Sequence, residues 1–127
     1  MRALALILAS ALAVTGSTTF AKSGREVPAA TETGAPVSCL HLTQIRESRV
    51  RSDQVIDFRI SGNKWYRNTL PHSCPSLGFE ERFLYQTSLS ELCSVDIITV
   101  LQNFGGQLNR GASCGLGKFQ PVDLVKQ

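Results

Sequence analysis

The chain has 127 residues, four cysteines and a formal net charge of +3 at neutral pH, with 43% hydrophobic and 18% charged residues. This length corresponds to one small domain. The small positive charge does not by itself indicate nucleic acid or a membrane surface as the partner.

Residues 1–21 have the layout of a secretory signal peptide. Arg2 supplies a positive start, residues 3–14 form an apolar run, and Thr19 and Ala21 place small residues at positions −3 and −1 of a cut after Ala21. The run is shorter than the ~20 residues that span a bilayer, so an uncleaved anchor is the less favoured alternative. No later segment is apolar enough to be a transmembrane segment. We therefore expect export to the periplasm, with secretion as the alternative.

Residues 22–37 are predicted to form a flexible linker, because they are rich in small and polar residues and show no apolar periodicity. The folded domain is predicted over residues 38–122, with a short tail at 123–127. Lipidation at Cys39 is an alternative that the polar residues before it argue against. A domain of this size has a marginal core, which disulfides of ~2–4 kcal/mol each commonly supplement.

The clearest predicted element is a β-hairpin. Ile56, Phe58 and Ile60 alternate with Asp57 and Arg59, which is typical of a half-buried strand with the charged residues on the outer face. A tight turn follows, since Gly62 and Asn63 tolerate positive φ. The predicted strands cover residues 45–51, 55–60, 64–70, 82–87, 94–101 and 116–122.

The remaining segments are predicted to lack strands. Residues 71–81 form a loop with room for one helical turn, residues 88–92 form a turn or short helix, and residues 104–117, which hold five glycines, form a long irregular loop. Strand 94–101 is partly apolar on both faces, so we expect it to be a central strand or one whose outer side is covered.

These elements predict a mainly β fold. Five or six strands form an antiparallel meander, curled into a small barrel-like sheet and stapled by two disulfides. The alternative is an α+β domain with one short helix near Cys74 or Ser90.

The four cysteines allow three connectivities, which sequence alone does not distinguish. In a meander, Cys39 and Cys93 fall at one end of the sheet and Cys74 and Cys114 at the other, so we predict these two pairs. Zinc binding with help from His41 and His72 is the alternative, but the usual CxxC spacing is absent. We expect no metal and no cofactor.

Several segments of the domain resemble a family of small exported proteins of unknown function from Gram-negative bacteria. The resemblance implies a periplasmic location and brings no activity, cofactor or catalytic residue. It covers most of residues 39–120. The matching segments are Cys39-Leu40 followed by Ile45, the hairpin from Asp57-Phe58 to Asn68-Thr69-Leu70, Cys74-Pro75-Ser76-Leu77, Leu92-Cys93-Ser94-Val95-Asp96 with Ile98 and Val100, and Cys114-Gly115-Leu116-Gly117-Lys118-Phe119.

A basic strand face with an aromatic residue is the main candidate site. Arg49, Arg59, Trp65 and Arg67 are the predicted binding residues, and their chemistry suits an anionic component of the cell envelope; an envelope protein is the alternative partner. No nucleic acid is expected in that compartment. The alternative is an ordinary solvated sheet face, with Trp65 partly covered by the loop or the linker.

Catalysis is not expected, because the sequence offers no convergent nucleophile, base and orienting group. One alternative is a small hydrolase that uses a carboxylate such as Asp96; the other interpretation of Asp96 is a turn-capping residue. A third possibility is an exported inhibitor-like protein. The sequence does not reveal the ligand or the oligomeric state.

Overall fold

A computed structural model describes residue 16 and residues 26–87 and 89–125. The predicted leader at 1–21, apart from Gly16, lies outside the described residues, and so does the start of the predicted linker. The fold is mainly β, as predicted. The strands are β1 (Ala30–Glu32), β2 (Cys39–His41), β3 (Ile45–Val50), β4 (Val55–Ile60), β5 (Lys64–Thr69), β6 (Phe83–Tyr85), β7 (Glu91–Cys93), β8 (Ile97–Phe104), β9 (Gln107–Gly115) and β10 (Phe119–Leu124).

The strands form three antiparallel sheets. The five-stranded sheet has the order β1-β10-β5-β4-β3, the two-stranded sheet pairs β2 with β7, and the three-stranded sheet has the order β6-β8-β9. The meander β3-β4-β5 is the one the alternating sequence predicts. The described strands do not close into a barrel, so the predicted barrel-like curl is replaced by separate sheets packed on one core.

Two hairpins depend on residues with positive φ. Gly62 and Asn63 have φ of 79° and 58° between β4 and β5, which confirms the predicted tight turn. Gly105 and Gly106 have φ of 60° and 84° and join β8 to β9. The prediction of an irregular loop at 104–117 is therefore wrong: a pair of glycines permits the two-residue turn that brings β9 back along β8.

Three further strands, β1, β2 and β7, were not predicted. Residues Ala30–Glu32, inside the predicted linker, pair with β10, and β10 itself runs to Leu124, beyond the predicted domain end. The predicted turn or helix at 88–92 overlaps β7, whose residues pair with β2. Each of these strands has three residues or adjoins polar sequence, so periodicity gives no signal.

One short helix, α1 (Leu77–Glu80), follows the Cys74 loop, close to the single helical turn that the sequence allowed. Asp53 fixes this helix, because its carboxylate accepts a hydrogen bond from the backbone N–H of Gly78 at 2.7 Å. Its backbone carbonyl also accepts the N–H of Cys74.

The core collects apolar side chains from all three sheets and from α1. Phe58 and Phe119 meet edge to face with ring centroids 5.5 Å apart. Ile56, Phe58 and Ile60 are buried, as the alternation of β4 predicts. The buried cluster comprises Leu40, Ile56, Phe58, Ile60, Leu70, Cys74, Leu77, Leu92, Ile98, Val100, Leu116 and Phe119.

Asn68 is a buried polar residue in this core. Its side-chain amide donates to the carbonyl of Gly117 at 2.7 Å and accepts the N–H of Gly117 at 2.8 Å. Gly117 must be glycine here, because a Cβ would collide with the backbone of Thr69. The amide thus joins β5 to the segment before β10.

Both predicted disulfides are present, Cys39–Cys93 and Cys74–Cys114. The geometry differs from two bridges at the ends of one meander. Cys39 and Cys93 lie directly opposite each other in the two-stranded sheet, whereas Cys74–Cys114 links a loop to β9. With all four cysteines bridged, no thiolate is available for the alternative zinc site.

Candidate binding face

The candidate site lies on the outer face of β3, β4 and β5. Residues directly opposite one another in a sheet point to the same side, so the register of the strands builds two rows of side chains. We call this surface, with the neighbouring Arg51, the basic face. Its rows are Arg49, Asp57 and Arg67, and Glu47, Arg59 and Trp65.

Asp57 is the centre of the basic face. The sequence predicts a solvated residue there, but the structure buries its side chain completely. Arg67 donates to both carboxylate oxygens, through Nε at 2.8 Å and Nη2 at 3.0 Å, and Arg51 donates through Nε at 2.9 Å. A buried carboxylate is tolerated when charged donors satisfy it, which explains how an acidic residue comes to lie beneath the sheet's outer side chains.

Arg67 is therefore mainly a structural residue, although the sequence marks it as a binding candidate. Its side chain is largely buried, and Nη2 also donates to the carbonyl of Pro28 at 2.8 Å. This bond ties the segment before β1 to the sheet. Its guanidinium is hydrogen-bonded to the carboxylate of Asp57 and to the backbone.

Glu47 offsets positive charge in the other row of the basic face. Its Oε1 lies 3.2 Å from Nε of Arg49 and 3.3 Å from Nε of Arg59. These groups are partly exposed, so the ion pairs contribute little to stability, in the range of ~0–1 kcal/mol. They orient the two arginines instead.

Trp65 brings two cations together at the surface. The Cζ atoms of Arg49 and Arg51 lie 5.6 Å and 5.9 Å from the centroid of its ring, within cation–π distance. Both arginines form their ion pairs through Nε, and within the described part of the chain no hydrogen bond uses their terminal nitrogens. Arg49, with 55% of its side chain exposed, is thus open to an external acceptor, whereas Arg51, with 17% exposed, offers much less access.

An open cleft of about 330 Å³ lies beside Trp65, and neither Arg49 nor Arg51 lines it. Trp65 forms part of its wall, with Lys64 and Tyr66 from the same strand and Asp123 from β10. The basic face holds four arginines against two carboxylates, so positive charge remains in excess. Chemically, the arrangement suits a phosphate or carboxylate group that meets Arg49 and Arg51 beside Trp65.

Arg51 was not among the predicted binding residues, although the predicted strand 45–51 contains it; in the structure it directly follows β3. Its side chain reaches Asp57, six residues along the chain, across the turn that joins β3 to β4. A sequence signal did exist: Arg49 and Arg51 are two residues apart, the spacing that puts side chains on one face of a strand.

The other sequence candidates lie elsewhere. The carboxylate of Asp96 accepts the N–H of Cys93 at 2.6 Å, which is the turn-capping geometry. His41 lies 3.5 Å from Glu91 in the two-stranded sheet. His72 is exposed in a loop and lines an apolar cleft of about 320 Å³ beside Cys114. The structure does not bring these groups together.

Comparison of the chain with protein-family models, curated proteins and solved structures finds no significant match. The resemblance to an exported family therefore stays a prediction. Within the described ranges, no helix combines the length and the hydrophobicity that a membrane crossing requires. The two disulfides fit an extracellular or exported protein.

Proposed function

We propose that the protein is a non-enzymatic periplasmic module that binds an anionic component of the cell envelope through Arg49, Arg51 and Trp65. The observation that carries this proposal is the placement of two guanidinium groups over one tryptophan ring, with no described residue hydrogen-bonded to their terminal nitrogens. The signal-peptide pattern and the disulfides support export, and export makes envelope anions the available partners.

Arginine suits this role for a physical reason. A guanidinium whose Nε is already bonded to a carboxylate is fixed in direction, so less conformational entropy is lost when its terminal nitrogens meet a ligand. Asp57 fixes Arg51 in this way through a hydrogen bond, and Glu47 holds Arg49 by an ion pair. Trp65 adds an aromatic surface for the apolar part of a lipid headgroup or sugar.

The proposal is tested with sedimentation of the oxidised protein with vesicles. The probe vesicles contain phosphatidylcholine with phosphatidylglycerol, and vesicles of phosphatidylcholine alone are the neutral control. A basic residue near an anionic surface contributes ~1 kcal/mol, so Arg49→Gln is expected to weaken binding about fivefold. Soluble polygalacturonate, a carboxylate polymer, shows by competition whether phosphate or carboxylate is preferred.

Arg46→Gln is the matched control. The substitution removes the same charge from the same strand, and Arg46 makes none of the contacts around Trp65. We expect it to reduce binding less than Arg49→Gln. Equal losses in the two variants would mean that net charge alone drives binding. Failure to bind both the vesicles with phosphatidylglycerol and the polygalacturonate would contradict the proposal.

A further inference from the structure

The distal half of the β8–β9 hairpin stands out from the rest of the molecule. Residues 103–110 are all exposed, and they include Phe104 at 61% and Leu108 at 57% of their full exposure. From Gln102 to Asn109 the hairpin carries no charge. Phe104 and Leu108 lie on opposite faces of the hairpin, because Phe104 pairs with Gln107 and Leu108 with Asn103, so the feature of interest is the exposed and uncharged edge strand itself.

The free edge of β9 is defined by the turn. Gly105 and Gly106 form a two-residue turn, so Phe104 and Gln107 exchange backbone hydrogen bonds as the closing pair. Hydrogen-bonding direction alternates along an antiparallel strand. The backbone N–H and C=O of Leu108 and Arg110 therefore point away from β8, and no backbone hydrogen bond outside the strand pairings engages them in the described chain.

The sheet edges formed by β1, β3 and β6 are shorter or more heavily charged than the 107–110 segment of β9. β3, the edge of the five-stranded sheet, carries Arg46, Glu47 and Arg49 and has a bulge. β1 and β6 have only three residues each. Charges, bulges and short length are the usual devices that prevent edge pairing. In β9 the register shift comes only after Arg110, which leaves 107–110 regular and open.

We propose that β9 pairs with β9 of a second copy of this chain, antiparallel and centred on Asn109. This register places Leu108 opposite Arg110 of the second copy and satisfies the outward backbone groups of both residues on both chains. It joins two three-stranded sheets into one of six strands. The apolar stem of each arginine then covers a leucine.

Charge favours this register over the adjacent register that is centred on Arg110. Moving the centre to Arg110 would set two guanidinium groups directly opposite each other, which is unfavourable. A lipid surface is the poorer occupant, because hydrocarbon would bury the unpaired backbone groups of Leu108 and Arg110 without partners. This proposal uses residues outside the basic face and does not depend on the proposed binding activity.

Analytical ultracentrifugation of the oxidised protein between about 10 µM and 1 mM tests the dimer, since weak contacts dissociate in this range. We expect concentration-dependent sedimentation. Leu108→Glu should tighten the dimer about fivefold, because the symmetric contact then contains two pairs of opposite charge, each between the new carboxylate of one copy and Arg110 of the other. Leu108→Arg should weaken the dimer by a similar factor.

Ser48→Arg is the matched control on the edge of β3, where an exposed residue gains the same charge. It should leave the dissociation constant unchanged. The double variant Leu108→Arg/Arg110→Glu should restore the dimer that Leu108→Arg weakens. A protein that stays monomeric throughout the range, or a dimer insensitive to the charge at position 108, would overturn the proposal.

Discussion

The outer face of the five-stranded sheet is charged and internally paired, whereas the outer face of the three-stranded sheet is less polar and more open. On the first, Asp57 is fully buried beneath Arg51 and Arg67. On the second, Ile97 is 57% exposed in the described structure, beside a single Thr99–Ser113 hydrogen bond of 2.9 Å. Residue type alone therefore does not decide burial in this protein; the available partners do.

This comparison also corrects an expectation. The apolar residues on both faces of β8 predicted a central strand or a covered outer side, and β8 is the central strand of its sheet, between β6 and β9, although Ile97 on its outer face is exposed. The charged alternation in β4 predicted a solvated face, yet Asp57 is buried. In both cases the strand is located correctly, and the environment of its outer face depends on residues far away in sequence.

The largest expected effect comes from Asp57→Ala. This change leaves two arginines, both mostly buried, without their shared carboxylate, and breaking a buried ion pair in this way costs ~3–5 kcal/mol. The free energy of unfolding in urea measures it. Glu47→Ala, on the same face but partly exposed, is the control and should cost no more than about 1 kcal/mol. Similar losses in both variants would contradict the distinction between buried and exposed pairs.

A smaller difference is expected between two arginines that share Trp65. Arg51→Met removes one charged hydrogen bond from Asp57, which keeps both bonds from Arg67, so the loss should be about 1–2 kcal/mol. Arg49→Met should cost less than about 1 kcal/mol, because that side chain is 55% exposed. Urea unfolding of the two variants compares them directly. A greater loss for Arg49→Met would reverse the structural assignment.

The smallest effect is expected on the other face. Ile97→Thr should change stability by less than about 0.5 kcal/mol, since the side chain is mostly exposed and threonine suits a strand. Thermal unfolding at low protein concentration measures this. A loss above about 1.5 kcal/mol would mean that this face is covered in solution.

Local patterns predicted the elements that depend on local physics. The alternation around Phe58 and the turn at Gly62 located β4 and β5. The cysteine pairs were also predicted correctly, although the assumed single meander is not the fold. Export-related predictions rest on residues 1–21, which the structure leaves outside its described range apart from Gly16.

The missing elements depend on long-range partners. β1 exists because β10 returns beside it, and the N–H of Thr33 reaches the carbonyl of Pro121. Likewise, the site at Trp65 depends on Arg51, whose position is set by a buried carboxylate rather than by its neighbours in sequence. Contacts between residues that are distant in sequence produce no periodic pattern of apolar residues from which a single sequence could predict them.

Trp65 is the chain's only tryptophan, so its fluorescence reports on the proposed site alone. The central claim predicts that vesicles containing phosphatidylglycerol shift or quench this emission, that added salt reverses the change by screening, and that phosphatidylcholine vesicles have no effect. Arg49→Gln should reduce the response and Arg46→Gln should largely retain it. Vesicle binding seen by sedimentation with unchanged Trp65 emission would contradict the account, because the protein would then bind through another surface.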